Sequence, residues 1–147
     1  MLSGGAGLDE EDRMSTLQPG DTASRSLAIT VETIRAFAEV TGDNNPVHLD
    51  DEYAAGTRFG RRIAHGMIAA GLISATLAND LPGPGTVYLN QTLKFKLPVF
   101  PGDTVTATVE VLSVRPDKPI VTLSTVCTNQ DDKVVLKGEA IVLYSET

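Results

Sequence analysis

The stretch Phe37–Asp50, FAEVTGDNNPVHLD, holds the residue types best suited to chemistry. Asp43 and His48 stand five positions apart across Pro46. Proline lacks a donor and pushes Asn45 out of the helical region, so the spacing predicts an irregular bend over residues 43–49. A carboxylate and an imidazole on one proline-restrained bend can both reach a single water molecule; a straight helix or strand would aim them differently. An imidazole can titrate near neutrality, and a carboxylate can orient it or exchange a proton itself. The same residues admit a plainer account. Asp after a helix-ending Gly, followed by Asn-Asn-Pro, is ordinary turn chemistry with a histidine beside it. A metal site is disfavoured, because two histidines and one cysteine offer no repeated ligand spacing to close a coordination shell.

A second feature is His65-Gly66-Met67, at the mouth of an apolar run that reaches Asn79. Glycine lets a ligand approach the backbone closely, and the first N–H groups of a helix lack internal partners and carry partial positive charge. Such a donor suits a carbonyl that gains enolate character during reaction. Tight helix–sheet packing is the alternative use of that glycine.

The elements that must position these residues follow from periodicity. A Pro-Gly-Asp turn at residues 19–21 opens a strand to about residue 30. Thr30 is placed to cap a helix from Val31, with Val31, Ile34, Phe37, Ala38 and Thr41 on one face and Gly42 ending it. Asp50 is placed to cap a short helix closed by Gly56. The run from about His65 to Asn79 is apolar on nearly every side, as in a helix buried within a core. At 17 uncharged residues, Ile63–Asn79 falls short of the ~20 that a membrane span requires. After the breaker LPGPG, strands are expected over Thr86–Leu97, Thr104–Val111, Ile120–Thr128 and Val134–Tyr144, the last with Val134, Leu136, Gly138, Ala140, Val142 and Tyr144 on one face. One helix can cover only one face of such a sheet, so the order describes an α+β hot-dog fold, an antiparallel sheet wrapped around a central helix. Ala69, Ala70, Gly71, Ala75 and Ala78 would let the sheet approach that helix. The other face or an edge then calls for a partner, and a homodimer is expected.

The chain has 147 residues, enough for one domain, with 12 Lys+Arg against 19 Asp+Glu for a net charge of −7. That balance argues against nucleic acid and against an anionic membrane surface as partners. The single cysteine, Cys127, excludes an intrachain disulfide and fits a reducing, cytoplasmic setting. Residues 1–16 are Gly-rich then acidic, and are expected to be a flexible leader rather than a signal peptide, with Met14 as a second candidate start and a domain over 17–147.

FAEVTGDNNPVHLDDEYA resembles the signature of the (R)-specific enoyl-CoA hydratases, the MaoC-like dehydratases. Their Asp, variable residue, Asn-Pro, variable residue, His pattern is met by Asp43, Asn45-Pro46 and His48. IAHGMIAAGLIS (63–74) is similar to the family's central helix, LKFKLPVFPGDTVTATVEV (93–111) to a strand pair, and GEAIV (138–142) to its last strand. The resemblance is particularly close to the short hydratases that supply (R)-3-hydroxyacyl-CoA for polyhydroxyalkanoate synthesis. It implies Asp43 and His48 as the catalytic pair, the Gly66 N–H as thioester oxyanion donor, and Asn45 as support for the pair's geometry. It also implies an acyl-CoA substrate, reversible syn hydration of trans-2-enoyl-CoA, and no cofactor. Which of the pair takes the first proton stays open. Ser74 and Leu77, three apart on the central helix, would line the acyl pocket or simply fill core. Some of Arg58, Arg61, Arg62, Lys94 and Lys96 would meet the CoA phosphates. Three rivals share the fold: a thioesterase, which favours an acidic residue on the central helix where Gly66–Asn79 has none; a non-catalytic acyl-thioester binding subunit, free to lose Asp43 or His48; and a dehydratase acting on acyl-carrier-protein substrates.

Overall fold

Thr30 begins the first helix as its residue type suggests. In the computed structural model, which describes residues 17–144, its hydroxyl accepts the Thr33 N–H at 3.0 Å. The helix, α1 (Val31–Thr41), ends at Gly42, whose positive φ of 80° brings its N–H to the Ala38 carbonyl at 2.8 Å. Ile34 and Ala38 of α1 are buried and Val31 and Phe37 half-buried, whereas Thr41 lies exposed. The leader expected at residues 1–16 lies outside the described residues.

The segment expected to be irregular contains one turn of helix, α2 (Pro46–Leu49). The reason is local. Pro46 occupies the first helical position, where a missing N–H is no loss, and the Asn45 side chain caps the turn. A second short helix, α3 (Asp51–Ala55), follows with Asp50 accepting the Tyr53 N–H at 3.0 Å. The apolar run forms α4 (Gly66–Asn79).

The strands β1 (Thr22–Ala28), β2 (Thr86–Gln91), β3 (Lys94–Phe95), β4 (Thr104–Val114), β5 (Ile120–Thr128) and β6 (Val134–Tyr144) form one antiparallel sheet in the order β1-β4-β5-β6-β2, with β3 also paired to β6. Its inner face, Val105, Ala107, Val109, Val121, Leu123 and Val142 among others, meets Ile68, Ala69, Leu72, Ile73 and Leu77 of α4. This is the expected hot-dog arrangement. Cys127 comes within 3.7 Å of the Ala69 carbonyl, which measures how closely the small residue lets helix and sheet approach.

Four details depart from the expectations. The strand expected over Thr86–Leu97 is interrupted between β2 and β3. There Thr92 crosses Gly138 so closely that a Cβ on Gly138 would lie 1.8 Å from the Thr92 carbonyl oxygen. In β6 the pairing shifts opposite Cys127 and Thr128, so Val135 is buried beside Leu136 and Val134 is exposed. The central helix is not enclosed: Met67, Gly71 and Ala78 form an exposed stripe, so only part of its small-residue set serves the sheet. Finally, the outer sheet face is rich in serine and threonine on β1, β4 and β5, with hydroxyl pairs Ser24–Thr108 at 2.8 Å and Ser26–Thr106 at 2.7 Å, and it carries half-buried Val126, Ile141 and Leu143 toward β6. Exposed apolar side chains gather instead on edge strand β2 and near β3, at Val87, Leu89, Phe95 and Leu97. Among the described residues no helix is long and apolar enough to cross a membrane.

Because backbone rather than a movable side chain opposes Gly138, Gly138→Ala should cost about 1–3 kcal/mol or more of stability. Urea unfolding of the variant beside the parent chain measures it.

Candidate active site

Two successive side-chain caps shape the strap between α1 and α3. Asp43 Oδ1 accepts the Asn45 N–H at 3.2 Å, and Asn45 Oδ1 accepts the Val47 N–H at 3.2 Å. The Asp43 N–H donates in turn to the Thr41 hydroxyl at 3.1 Å. Asn45 thus caps the turn that carries His48. His48 is buried and its Nδ1 lies 2.8 Å from the Ile63 carbonyl. A carbonyl only accepts, so Nδ1 carries the proton and Nε2 of the neutral ring keeps its lone pair.

The facing segment, residues 63–66, leads into α4. Ile63 N–H donates to the Val47 carbonyl at 3.2 Å and Ala64 N–H to the Val99 carbonyl at 2.7 Å. His65 then reaches back across 22 positions, and its Nε2 donates to the Asp43 carbonyl at 3.0 Å. Its ring lies 3.9 Å from that of His48 at 31°, and 4.8 Å from that of Phe37. The structure therefore joins Asp43, His48 and the His65-Gly66 pair into one site. His65 was noted in the sequence only as a neighbour of Gly66, with no role of its own. The available signal was its position just before a helix start, where it makes no side-chain cap.

Gly66 opens α4, and its N–H finds no acceptor among the described residues. A Cβ at this position would lie 2.7 Å from Cε1 of Phe95, so glycine lets that ring seat against the helix start. With no acidic residue in the first turn, the partial positive charge there is uncompensated. An exposed carboxylate, an imidazole lone pair and a backbone donor at a helix N-terminus are thus neighbours. Such a set can hold water on one side of a substrate and a polarised carbonyl on the other.

Asp43, His48 and His65 each bring one donor atom within 4.8 Å of the others. A metal lies in the plane of each imidazole that binds it, about 2.0–2.1 Å from the nitrogen. The two imidazoles lie 3.9 Å apart at 31°, and the engagement of His48 Nδ1 and His65 Nε2 with backbone carbonyls leaves one nitrogen of each ring for proton transfer or ligation. Cys127 is buried and its thiol is pushed up to about 12 by that burial, which removes it as a nucleophile.

Ser74 and Leu77 lie further along α4. Leu77 is 1% exposed within the main core, and Ser74 is half-buried at the border of the exposed stripe. A cavity of about 480 Å³ beside α4 is lined by Ile68, Gly71, Leu72 and Ala75 of that helix, with Leu27, Phe37 and Val40 among its other walls. Of the basic groups, Arg62 pairs with Asp51 at 2.7 Å, Arg61 lies over Phe100 and Arg58 over Phe59. Lys94 and Lys96 share a side of β3, and Lys94 pairs in register with Lys137. The Lys96 ammonium is held below the ordinary lysine range, first by the charge of Lys94 and then by desolvation and the charge of Lys137.

Fold and site together define a hot-dog protein with a carboxylate–imidazole pair beside the central helix. Residues 15–132 match the family model described as MaoC like domain, and the chain belongs to that family. It is 50% identical to the (R)-specific enoyl-CoA hydratase of Rhodospirillum rubrum over 86% of this chain and 88% of that protein. It is 48% identical to the 3-hydroxybutyryl-CoA dehydratase of Methylorubrum extorquens, covering 86% and 80% of the two chains. The solved (R)-hydratase of Aeromonas caviae, described as involved in polyhydroxyalkanoate biosynthesis, superposes with a TM-score of 0.84 at 48% identity, over 86% of this chain and 96% of that one.

Proposed function

We infer that this chain is an (R)-specific enoyl-CoA hydratase, a hydro-lyase that adds water reversibly to trans-2-enoyl-CoA to give (R)-3-hydroxyacyl-CoA. The carrying observation is that Asp43, His48 and His65 bring donor atoms within 4.8 Å of one another just before the start of α4, in a chain 50% identical over 86% of its length to a hydratase of that name. One water between the Asp43 carboxylate and the His48 Nε2 loses a proton to the pair as its oxygen bonds to C3. The thioester oxygen takes up negative charge against the Gly66 N–H. The pair then returns a proton to C2 from the same side, so addition is syn. No metal or prosthetic group enters these steps. With crotonyl-CoA, Asp43→Asn and His48→Ala should each lower kcat by about 10²–10⁴-fold while the fold persists, the usual cost of losing one acid–base group. Loss of absorbance at the enoyl thioester band, with chirality of the product, reads this directly; near-normal turnover in either folded variant overturns it. The same assay with four-, six- and eight-carbon substrates tests Ser74 and Leu77 as acyl-pocket residues. Leu77→Ala should raise the relative rate on the longest chain, and an unchanged preference with a lowered melting temperature assigns Leu77 to the core alone.

For the CoA end we propose Lys94, Lys96 and Lys137. Like charges facing across two strands are destabilising, and among the described residues none of the three has an ion-pair partner. Phosphates between them would relieve that repulsion, and Phe95 of the same strand touches the Gly66 position. Replacing Lys96 and Lys137 by Ala should raise KM for crotonyl-CoA about tenfold and leave the small thioester S-crotonyl-N-acetylcysteamine unaffected, the pattern of lost ground-state binding. Equal effects on both substrates would remove the assignment, and preference for a crotonylated carrier protein over the CoA ester would favour the carrier-protein dehydratase. We further propose a homodimer through edge strand β2, supported by exposed Val87 and Leu89. Sedimentation at micromolar concentration should give twice the chain mass; a monomer contradicts it.

A further inference from the structure

Among the described residues His65 is the one buried imidazole that the hydration chemistry leaves unused, and we propose that it is a positioning residue for both members of the pair. The inference rests on the hydratase reading and adds a residue to that site. Two contacts carry it. His65 Nε2 donates to the Asp43 carbonyl at 3.0 Å, fixing the backbone from which the carboxylate projects. Its ring lies 3.9 Å from the His48 ring at 31°, which limits rotation of His48 about its Cβ–Cγ bond. His65 directly precedes Gly66, so one side chain sets the distance between the acid–base pair and the helix-start donor.

The tautomers are opposite. His65 must carry its proton on Nε2, because its partner is a carbonyl, while its Nδ1 is buried without a partner. His48 must carry its proton on Nδ1, because Ile63 offers a carbonyl there. A lysine or arginine could not take the place of His65: each is a cation without a flat ring of this size, and the pocket holds His65 at 3% exposure with Phe37 against it. Phenylalanine would keep the ring and lose the donor. Glutamine would lose the ring and keep an amide N–H near the place of Nε2.

The chain has only two histidines, so a ¹⁵N-imidazole spectrum of the uniformly labelled full chain at mildly alkaline pH resolves both. One Nε2–H and one Nδ1–H ring are expected, with the Nε2–H ring assigned by its loss in His65→Phe. Two rings of the same tautomer overturn the proposal whatever the enzyme's activity. In kinetics, His65→Phe should lower kcat for crotonyl-CoA by about 10- to 100-fold, since displacement by about 1 Å costs up to 10² in rate. KM should change less than about threefold, because ground-state binding is not removed. His65→Gln should recover most of the loss. Should His65→Phe fail to fold by its melting curve, the His65→Gln and His65→Asn pair decides alone: Gln near parental kcat and Asn well below it supports the proposal, since the shorter amide cannot reach the Asp43 carbonyl. Equal kcat in those two variants, or a loss confined to KM, overturns it. Opposite tautomers in a parent chain that does not hydrate crotonyl-CoA would instead leave the geometry standing and remove the hydratase reading.

Discussion

The candidate site depends on a clamp between two backbone segments far apart in sequence. The strap at residues 43–48 is tied to residues 63–65 by three hydrogen bonds: Ile63 N–H to Val47, His48 Nδ1 to Ile63, and His65 Nε2 to Asp43. All three use backbone carbonyls as acceptors, so they fix main-chain position and imidazole tautomer together. A carboxylate on an isolated proline bend would sample many directions. Here its own acceptor bond to Asn45 and the hold of His65 on its carbonyl confine it from both sides.

The clamp has a rigid base because α4 cannot shift. Its inward residues interlock with the β4 and β5 rows of valine, alanine and leucine at close-packed distances. The other end of α4 is tied to β1 by the two-pronged Arg25–Asp80 contact at 2.9 and 3.1 Å. The neighbouring Arg25 guanidinium holds the Asp80 carboxyl below its ordinary range. That contact is exposed, so its energetic worth is small; packing does most of the holding. Gly66 completes the base by admitting Phe95 against the helix start.

The net charge conceals a local basic cluster. A chain of net charge −7 should repel an anionic thioester at long range. Yet Lys94, Lys96 and Lys137 face one another beside the strand that carries Phe95, at a cost in local repulsion. Such an arrangement is unfavourable in the free protein and becomes favourable when phosphate oxygens lie between the ammonium groups.

Much of the outcome was legible in the residues themselves. Thr30, Gly42, Asp50 and the LPGPG breaker act locally, so α1, α3 and the limits of α4 follow from side chains within one turn. The alternation in Val105–Val111 likewise has only one way to bury its valines. The Asp43, Asn45-Pro46, His48 pattern marked the candidate site, because its residue types can orient and exchange a proton. What lay beyond the sequence were contacts between distant segments. The turn of helix at Pro46–Leu49 depends on a cap that competes with other turns. The strand break at Thr92 exists because Gly138, forty-odd positions away, lets a backbone through. The serine and threonine pairs on the outer face, the exposed stripe on α4, and above all the bond from His65 to Asp43 across 22 positions are decided by packing. Periodicity records which residues avoid water, but not which of two buried groups a third will face; only the folded chain sets that distance.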